Sequence, residues 1–171
     1  MDAKRTTTLK GQPLTLAGKE LKVGDSAPDA ELTTNDWSTV KLSHYAGKVR
    51  LLNVVYSLET GTCDAQTHKF NEEATKLGKD VVVLTISADL PFTQKRWCGA
   101  SGLENVITLS DHKNLGFSDA YGTHIVERRV SSRAVFAVDR QGVVRYVEYV
   151  PEIASHPNYD AALTALKQIA G

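Results

Sequence analysis

The sequence predicts an α/β or mixed α+β layered domain, built as a central mixed sheet flanked by helices. Three observations carry that expectation. Two apolar runs without alternation, 49–56 and 80–86, read as strands buried on both faces. Between them, the stretch from Asp64 to Leu77 puts Phe70, Ala74 and Leu77 on one face and charges on the other, the pattern of an amphipathic helix. Strands then alternate with helices through the middle of the chain, and a hairpin and a helix close it, which is the element order of a layered fold.

The elements follow in order. Thr6 to Leu9 and Leu14 to Leu16 flank Gly11-Gln12-Pro13 and read as a hairpin. Gly18-Lys19 makes a second turn, and Pro28 keeps 23–29 out of a helix. Ala30 to Thr33 and Thr39 to Leu42 are short strands around Asn35-Asp36. Gly78 suits the end of the helix that starts at Asp64. A short helix begins at Asp89-Leu90-Pro91, with Asp89 as its cap and Pro91 in its first turn, and carries Cys98. Val106 to Leu109 is a strand, Asn114 to Tyr121 a helix and Ala134 to Val138 a strand. Asp139 to Gly142 turns into a strand over 143–150, and Tyr159 to Ile169 is the closing helix. No repeat or linker interrupts the sequence, so residues 1–171 are expected to form one domain.

Composition narrows the function. Twenty basic residues balance twenty acidic ones, which gives no electrostatic reason to expect nucleic acid or an anionic membrane as partner. No apolar run has the length of a bilayer span, and the polar start lacks the apolar core of a signal peptide, so the expected compartment is the cytoplasm. Two cysteines are too few for a secreted disulfide framework, and there is no C-x-x-C. His44, His68, His112, His124 and His156 are scattered, so no metal site is expected.

Thr60-Gly61-Thr62-Cys63 stands where the first buried strand gives way to a helix. Thr60 is a good N-cap, which makes Cys63 the third helical residue, a slot that an acidic group usually fills. Free backbone N–H groups and the positive end of the helix dipole favour a thiolate there. A cysteine of pKa about 8.5 is roughly 3% thiolate at neutral pH, and lowering the pKa to about 6 makes it roughly 90%. That gain is only about thirty-fold, and nucleophilicity falls with pKa. Efficient chemistry therefore needs donors for a leaving oxygen, and the Thr60 hydroxyl, the amides of Gly61 to Cys63 and a nearby arginine are the candidates. An incidental small residue is the competing reading for Cys63, and plain core for Trp97-Cys98.

A helix of roughly 22 Å and a returning strand of about 23 Å bring the chain back to the edge that holds Cys63. The next helix leaves that edge and puts Cys98 roughly 10 Å or more away. A disulfide needs α-carbons within about 7 Å, so bridging the two would require the start of the first helix, the short helix that carries Cys98, or both to unwind.

Five segments together resemble one family. They are Leu9 to Leu16, Thr60-Gly61-Thr62-Cys63 through Lys69-Phe70-Asn71, Ser87 through Cys98, Arg133-Ala134-Val135-Phe136, and Pro151-Glu152-Ile153 with Asn158-Tyr159-Asp160. The combination is similar to the bacterial thiol peroxidases, atypical two-cysteine peroxiredoxins of the thioredoxin-like superfamily. The resemblance implies a thioredoxin-like fold, with residues 1–17 as the group's extra N-terminal hairpin. It implies that Cys63 attacks the O–O bond of a hydroperoxide and becomes a sulfenic acid, and that Cys98 condenses with it to an intramolecular disulfide. It implies that Thr60 orients thiolate and peroxide, and that Arg133 stabilises the one and polarises the other. Thioredoxin as reductant, a homodimer, no cofactor and a preference for alkyl hydroperoxides are further implications.

Arg128 and Arg129 compete with Arg133 for that role, but they read as a solvated pair in a polar loop, whereas Arg133 opens an apolar strand where a charge needs a partner. The sequence departs from the family pattern at Tyr56, where the motif has proline, and more mildly at Glu59, where it has aspartate. Tyrosine is larger and lacks the fixed φ of proline, so a weakened or altered peroxidase is expected. The alternative is a redox-sensing or binding protein on the same fold.

Overall fold

The computed structural model describes residues 4–171. It holds eleven strands among them: β1 (Arg5–Leu9), β2 (Gln12–Ala17), β3 (Glu31–Thr33), β4 (Thr39–Lys41), β5 (Val49–Val54), β6 (Val81–Ser87), β7 (Ile107–Ser110), β8 (His124–Ile125), β9 (Val130–Ser131), β10 (Ala134–Val138) and β11 (Val144–Tyr149). The α-helices are α1 (Gly61–Ala74), α2 (Pro91–Ser101), α3 (Gly116–Tyr121) and α4 (Tyr159–Ala170).

Seven strands form the central sheet in the order β11-β10-β5-β6-β7-β3-β4. β5, β6 and β7 run parallel, while β10 and β11 are antiparallel on one side and β3 and β4 on the other, so the sheet is mixed as expected. The two unalternating apolar runs lie at its centre. Leu51 and Val49 face one way, into a core with Phe70 and Ala74 of α1 and Ala162 and Leu166 of α4. Leu52 and Val54 face the other way, into a core with Phe117 and Tyr121 of α3 and Phe136. Both faces are covered, which is why neither run can alternate.

The expected hairpin is present: β1 and β2 pair with Leu9 opposite Gln12. Residues 1–3 of the expected extension lie outside the described residues. The hairpin continues through β8 and β9 into a second sheet, β1-β2-β8-β9, which the sequence does not announce because two-residue strands carry no periodicity. Gly18 leaves β2 at φ +95, and a Cβ there would collide with the Asp119 carbonyl oxygen, so the turn admits only glycine.

Several boundaries differ from expectation in ways that shape the site. β5 ends at Val54, so Val55 and Tyr56 run on beyond the strand. α1 starts at Gly61, three residues before Asp64, with Thr60 at the N-cap. α2 starts with Pro91 in its first turn but has Leu90, not Asp89, at the N-cap. Asp89 is drawn away by better donors: its carboxylate accepts from Ser57 Oγ (2.7 Å), the Leu58 N–H (2.8 Å) and Ser87 Oγ (2.7 Å). It ties the end of β6 to the loop that enters α1.

Candidate active site

The loop from Val55 to Thr60 delivers α1 to the C-terminal edge of the parallel strands. Thr60 takes the N-cap backbone geometry, φ −96 and ψ 144, and its carbonyl accepts the first helical bond from Asp64 at 3.0 Å. Its hydroxyl does not cap the helix. It donates back to Ser57 O at 2.9 Å and closes the preceding turn. The N–H groups of Gly61, Thr62 and Cys63 therefore have no hydrogen-bond partner among the described residues. These are the orphan donors of a helix start, and with the helix dipole they favour negative charge.

Cys63 is the third residue of α1 and is fully buried. It packs with Val55, Leu58 and Trp97 in a small apolar cluster. Cys98 is half-buried and packs against that same cluster. Both cysteines are free thiols. Cys98 Sγ lies 3.3 Å from Thr108 Oγ1 of β7 and 3.6 Å from Asn35 Nδ2 in the β3–β4 turn. Trp97 donates from Nε1 to Asp64 Oδ1 at 2.8 Å, which fixes α2 against the first turn of α1.

Arg133, just ahead of β10, is 1% exposed. Its Nε and Nη2 donate to Ile153 O at 2.8 and 2.5 Å, and its Nη1 donates to Gln66 Oε1 at 2.8 Å. Gln66 Nε2 donates to Asn53 Oδ1 (2.6 Å), and Asn53 Nδ2 donates to Thr67 Oγ1 (3.0 Å) and Thr85 Oγ1 (3.1 Å). Thr67 Oγ1 donates to the carbonyl of Cys63 at 2.8 Å. A chain of buried hydrogen bonds thus runs from the guanidinium to the backbone of the cysteine. Burial without a partner would cost about 1–3 kcal/mol per group, so each link holds the next in place.

Arg133 and Thr60 line one cavity of about 370 Å³, together with Gly61, Thr62, Ile153 and Tyr56. The lining stops at Thr62, and Cys63 follows it directly in the chain. Among the described residues, no hydrogen bond joins Thr60 or Arg133 to the Cys63 sulfur. Tyr159 senses both groups. Its phenol is pushed up by burial first, then pulled down by the Arg133 charge and raised by Cys63.

Tyr56 bridges two apolar clusters, one with Cys63 and one with Leu14, Leu16 and Ile125 of the second sheet and Ile153 from the segment after β11. Its hydroxyl accepts from Arg128 Nη1 at 2.8 Å. Arg128 is thus not a free member of a solvated pair: it stands on the turn between β8 and β9 and lines the cavity. Glu59 reaches the other way and pairs with Arg96 of α2. Among the described residues, no group of three or more His, Cys, Asp or Glu stands close enough to hold a metal ion.

Reading the sequence alone missed Gln66, Asn53, Thr67 and Thr85. A signal for two of them exists: Cys63, Gln66, Thr67, Phe70, Asn71 and Ala74 form the buried stripe of α1, and the polar members of such a stripe must be paired. Asn53 and Thr85 sit opposite each other on β5 and β6, a pairing fixed only by the sheet register.

Comparison with known proteins places this geometry. A family model described as Redoxin matches residues 22–163. The chain is 52% identical over 162 residues to a protein named thiol peroxidase from Bacillus subtilis, covering 95% of this chain and 96% of that one. It is 55% identical over 160 residues to one of the same name from Halalkalibacterium halodurans, covering 94% and 96%. Among solved structures it is similar to a peroxiredoxin-like protein from Aquifex aeolicus, with TM-score 0.89, 40% identity and coverage of 96% and 97%. A thiol peroxidase from Chromobacterium violaceum, 20% identical, shares the fold with TM-score 0.85 over 95% of each chain. The thioredoxin-like fold expected from the resemblance is borne out.

Proposed function

The chain belongs to the Redoxin family, in its thiol peroxidase branch of peroxiredoxin-type enzymes, and on that premise we propose that Cys63 and Cys98 carry its peroxidase cycle. The Cys63 thiolate attacks one oxygen of a hydroperoxide. The O–O bond breaks, sulfur gains that oxygen as a sulfenic acid, and the other oxygen leaves as an alcohol or water after taking a proton. The Cys98 thiol then attacks the sulfenic sulfur, water departs, and an intramolecular disulfide remains. Thioredoxin supplies the two electrons that restore both thiols. The enzyme works as a single domain in a cytoplasmic homodimer, on hydrogen peroxide and alkyl hydroperoxides.

In this reading Arg133 stabilises the thiolate and draws charge from the breaking O–O bond. The free amides of Gly61 to Cys63 receive the leaving oxygen, and Thr60 orients the peroxide. The observation that carries the reading is convergence on one helix start. Arg133, Thr60 and the unpaired amides meet at a cavity beside Cys63, and Cys98 packs against the cluster that holds it. The arginine is positioned in advance, since Gln66 and Ile153 fix three of its nitrogens.

A second reading, a slow peroxide sensor, is favoured by the complete burial of Cys63 and by the large side chain of Tyr56 over its cavity. The second-order rate constant of Cys63 with an organic hydroperoxide separates the two. An enzyme reaches about 10⁴ M⁻¹s⁻¹ or more, the lower end of ordinary catalytic efficiency. A rate no better than that of a free thiol would sink the peroxidase reading.

A further inference from the structure

Arg128 is exposed on the turn between β8 and β9, yet it is held in place: its Nη1 donates to the Tyr56 hydroxyl at 2.8 Å. Tyr56 is itself packed between two apolar clusters, so it fixes where the guanidinium stands. The cavity below has walls of two kinds. Leu9, Ile153, Ala154 and the Tyr56 ring supply apolar surface, whereas Lys10, Arg128 and Arg133 supply three cations. Among the described residues, no acidic one lines it.

The three cations differ in what they have left to give. Arg133 is committed to Ile153 and Gln66. Lys10 and Arg128 join no ion pair among the described residues, and Nε and Nη2 of Arg128 have no partner among them. The neighbouring acids are engaged elsewhere. Glu152 is held down to about 2 by the N–H groups of Ala154 and Gly11, and it also accepts from Thr8 Oγ1. Glu127 takes the Thr15 N–H on both oxygens, at 3.1 and 2.9 Å. Both stay charged and temper the local field, but neither lines the cavity. What remains is an apolar chamber with a free guanidinium edge at its rim, a fork that matches a carboxylate at two points.

We infer that Arg128, held over the cavity by Tyr56, is a specificity-determining residue that selects hydroperoxides carrying a carboxylate on an apolar body. The inference rests on the peroxidase reading and adds a substrate class to it. The apolar body lies against Leu9, Ile153 and the Tyr56 ring, the carboxylate meets Arg128 with Lys10 nearby, and the hydroperoxide end is left for the start of α1.

A matched pair of substrates tests it: a medium-chain hydroperoxide bearing a free carboxylate, and its methyl ester. Rate constants are measured for both on the wild type, Arg128→Gln and Arg128→Lys. The wild type favours the acid by about three- to five-fold at low salt, the range an exposed charge pair can supply, and the preference shrinks as salt is added. Arg128→Gln brings the ratio close to one, and Arg128→Lys keeps most of it. A ratio of one in the wild type, or a ratio unmoved in Arg128→Gln, overturns the inference, while reaction of the ester leaves the peroxidase reading standing. Failure of the wild type to react with either substrate overturns both.

Discussion

At position 56 a tyrosine ring lies between the cysteine cluster and the second sheet, and its hydroxyl holds Arg128 over the cavity. The family motif has proline there, with no hydroxyl and far less volume. The Tyr56 N–H makes no hydrogen bond among the described residues, so proline would cost no backbone partner at this point. Tyr56→Pro is therefore expected to fold and to open the approach to the start of α1. A misplacement of about an ångström at a reacting centre can cost about a hundred-fold, so the expected gain with a small neutral hydroperoxide is on the order of ten-fold. Stopped-flow oxidation of Cys63 reads it, and an unchanged rate would show that Tyr56 costs the reaction nothing. The same change removes the anchor of Arg128, so speed with small substrates and selection for acidic ones trade against each other at one residue.

At the scale of elements, the two cysteine helices are joined by His68. Its Nδ1 lies 3.0 Å from Asp64 O in α1, and its Nε2 lies 3.0 Å from Ser101 O at the end of α2. Two carbonyl acceptors require two N–H donors, which only the protonated ring has. Burial pulls the His68 pKa down, but both carbonyls and the charges of Asp64 and Glu72 outweigh it and hold the pKa above its ordinary 6.5. Trp97 packs edge-on against the ring. A group whose folded pKa is raised stabilises the fold fully below its unfolded pKa and loses that contribution as pH climbs through the folded value. The grip of α2 on α1 is therefore expected to weaken from about pH 6.5 upward, and the step that brings Cys98 to Cys63 to quicken. Urea unfolding across that range should show the wild type losing stability relative to His68→Gln. Parallel curves would mean that the ring proton does not hold the helices together. Asp89 adds a tie of another kind, from the end of β6 to the loop that enters α1, through Ser57 Oγ and the Leu58 N–H.

For the whole molecule, the legible part of the fold was the part that repeats. The parallel core announces itself in two unalternating runs, and α1 in a helical stripe, because each pattern is set by burial on known faces. The second sheet has no such signature, since β8 and β9 span two residues each and are recruited by the hairpin. The site divides in the same way. Cys63 at the third position of α1 and Arg133 at the head of an apolar strand are local facts, and both stand where the sequence put them. The Gln66–Asn53–Thr85 links depend on strand register and helix rotation together, and Arg128 over Tyr56 depends on the second sheet, so neither is readable from spacing. Asp89 was misread because a cap and a loop clamp ask for the same residue, and the better-placed donors won.

The pairing of Cys63 and Cys98 within one chain is the centre of the account, and intact mass with free-thiol counting after one equivalent of hydroperoxide tests it most directly. The expected result is loss of both free thiols, a mass lower by two hydrogens, no covalent dimer, and a trapped sulfenic acid on Cys63 in Cys98→Ser. A covalent dimer as the main product, or a full intramolecular disulfide in Cys98→Ser, would contradict it.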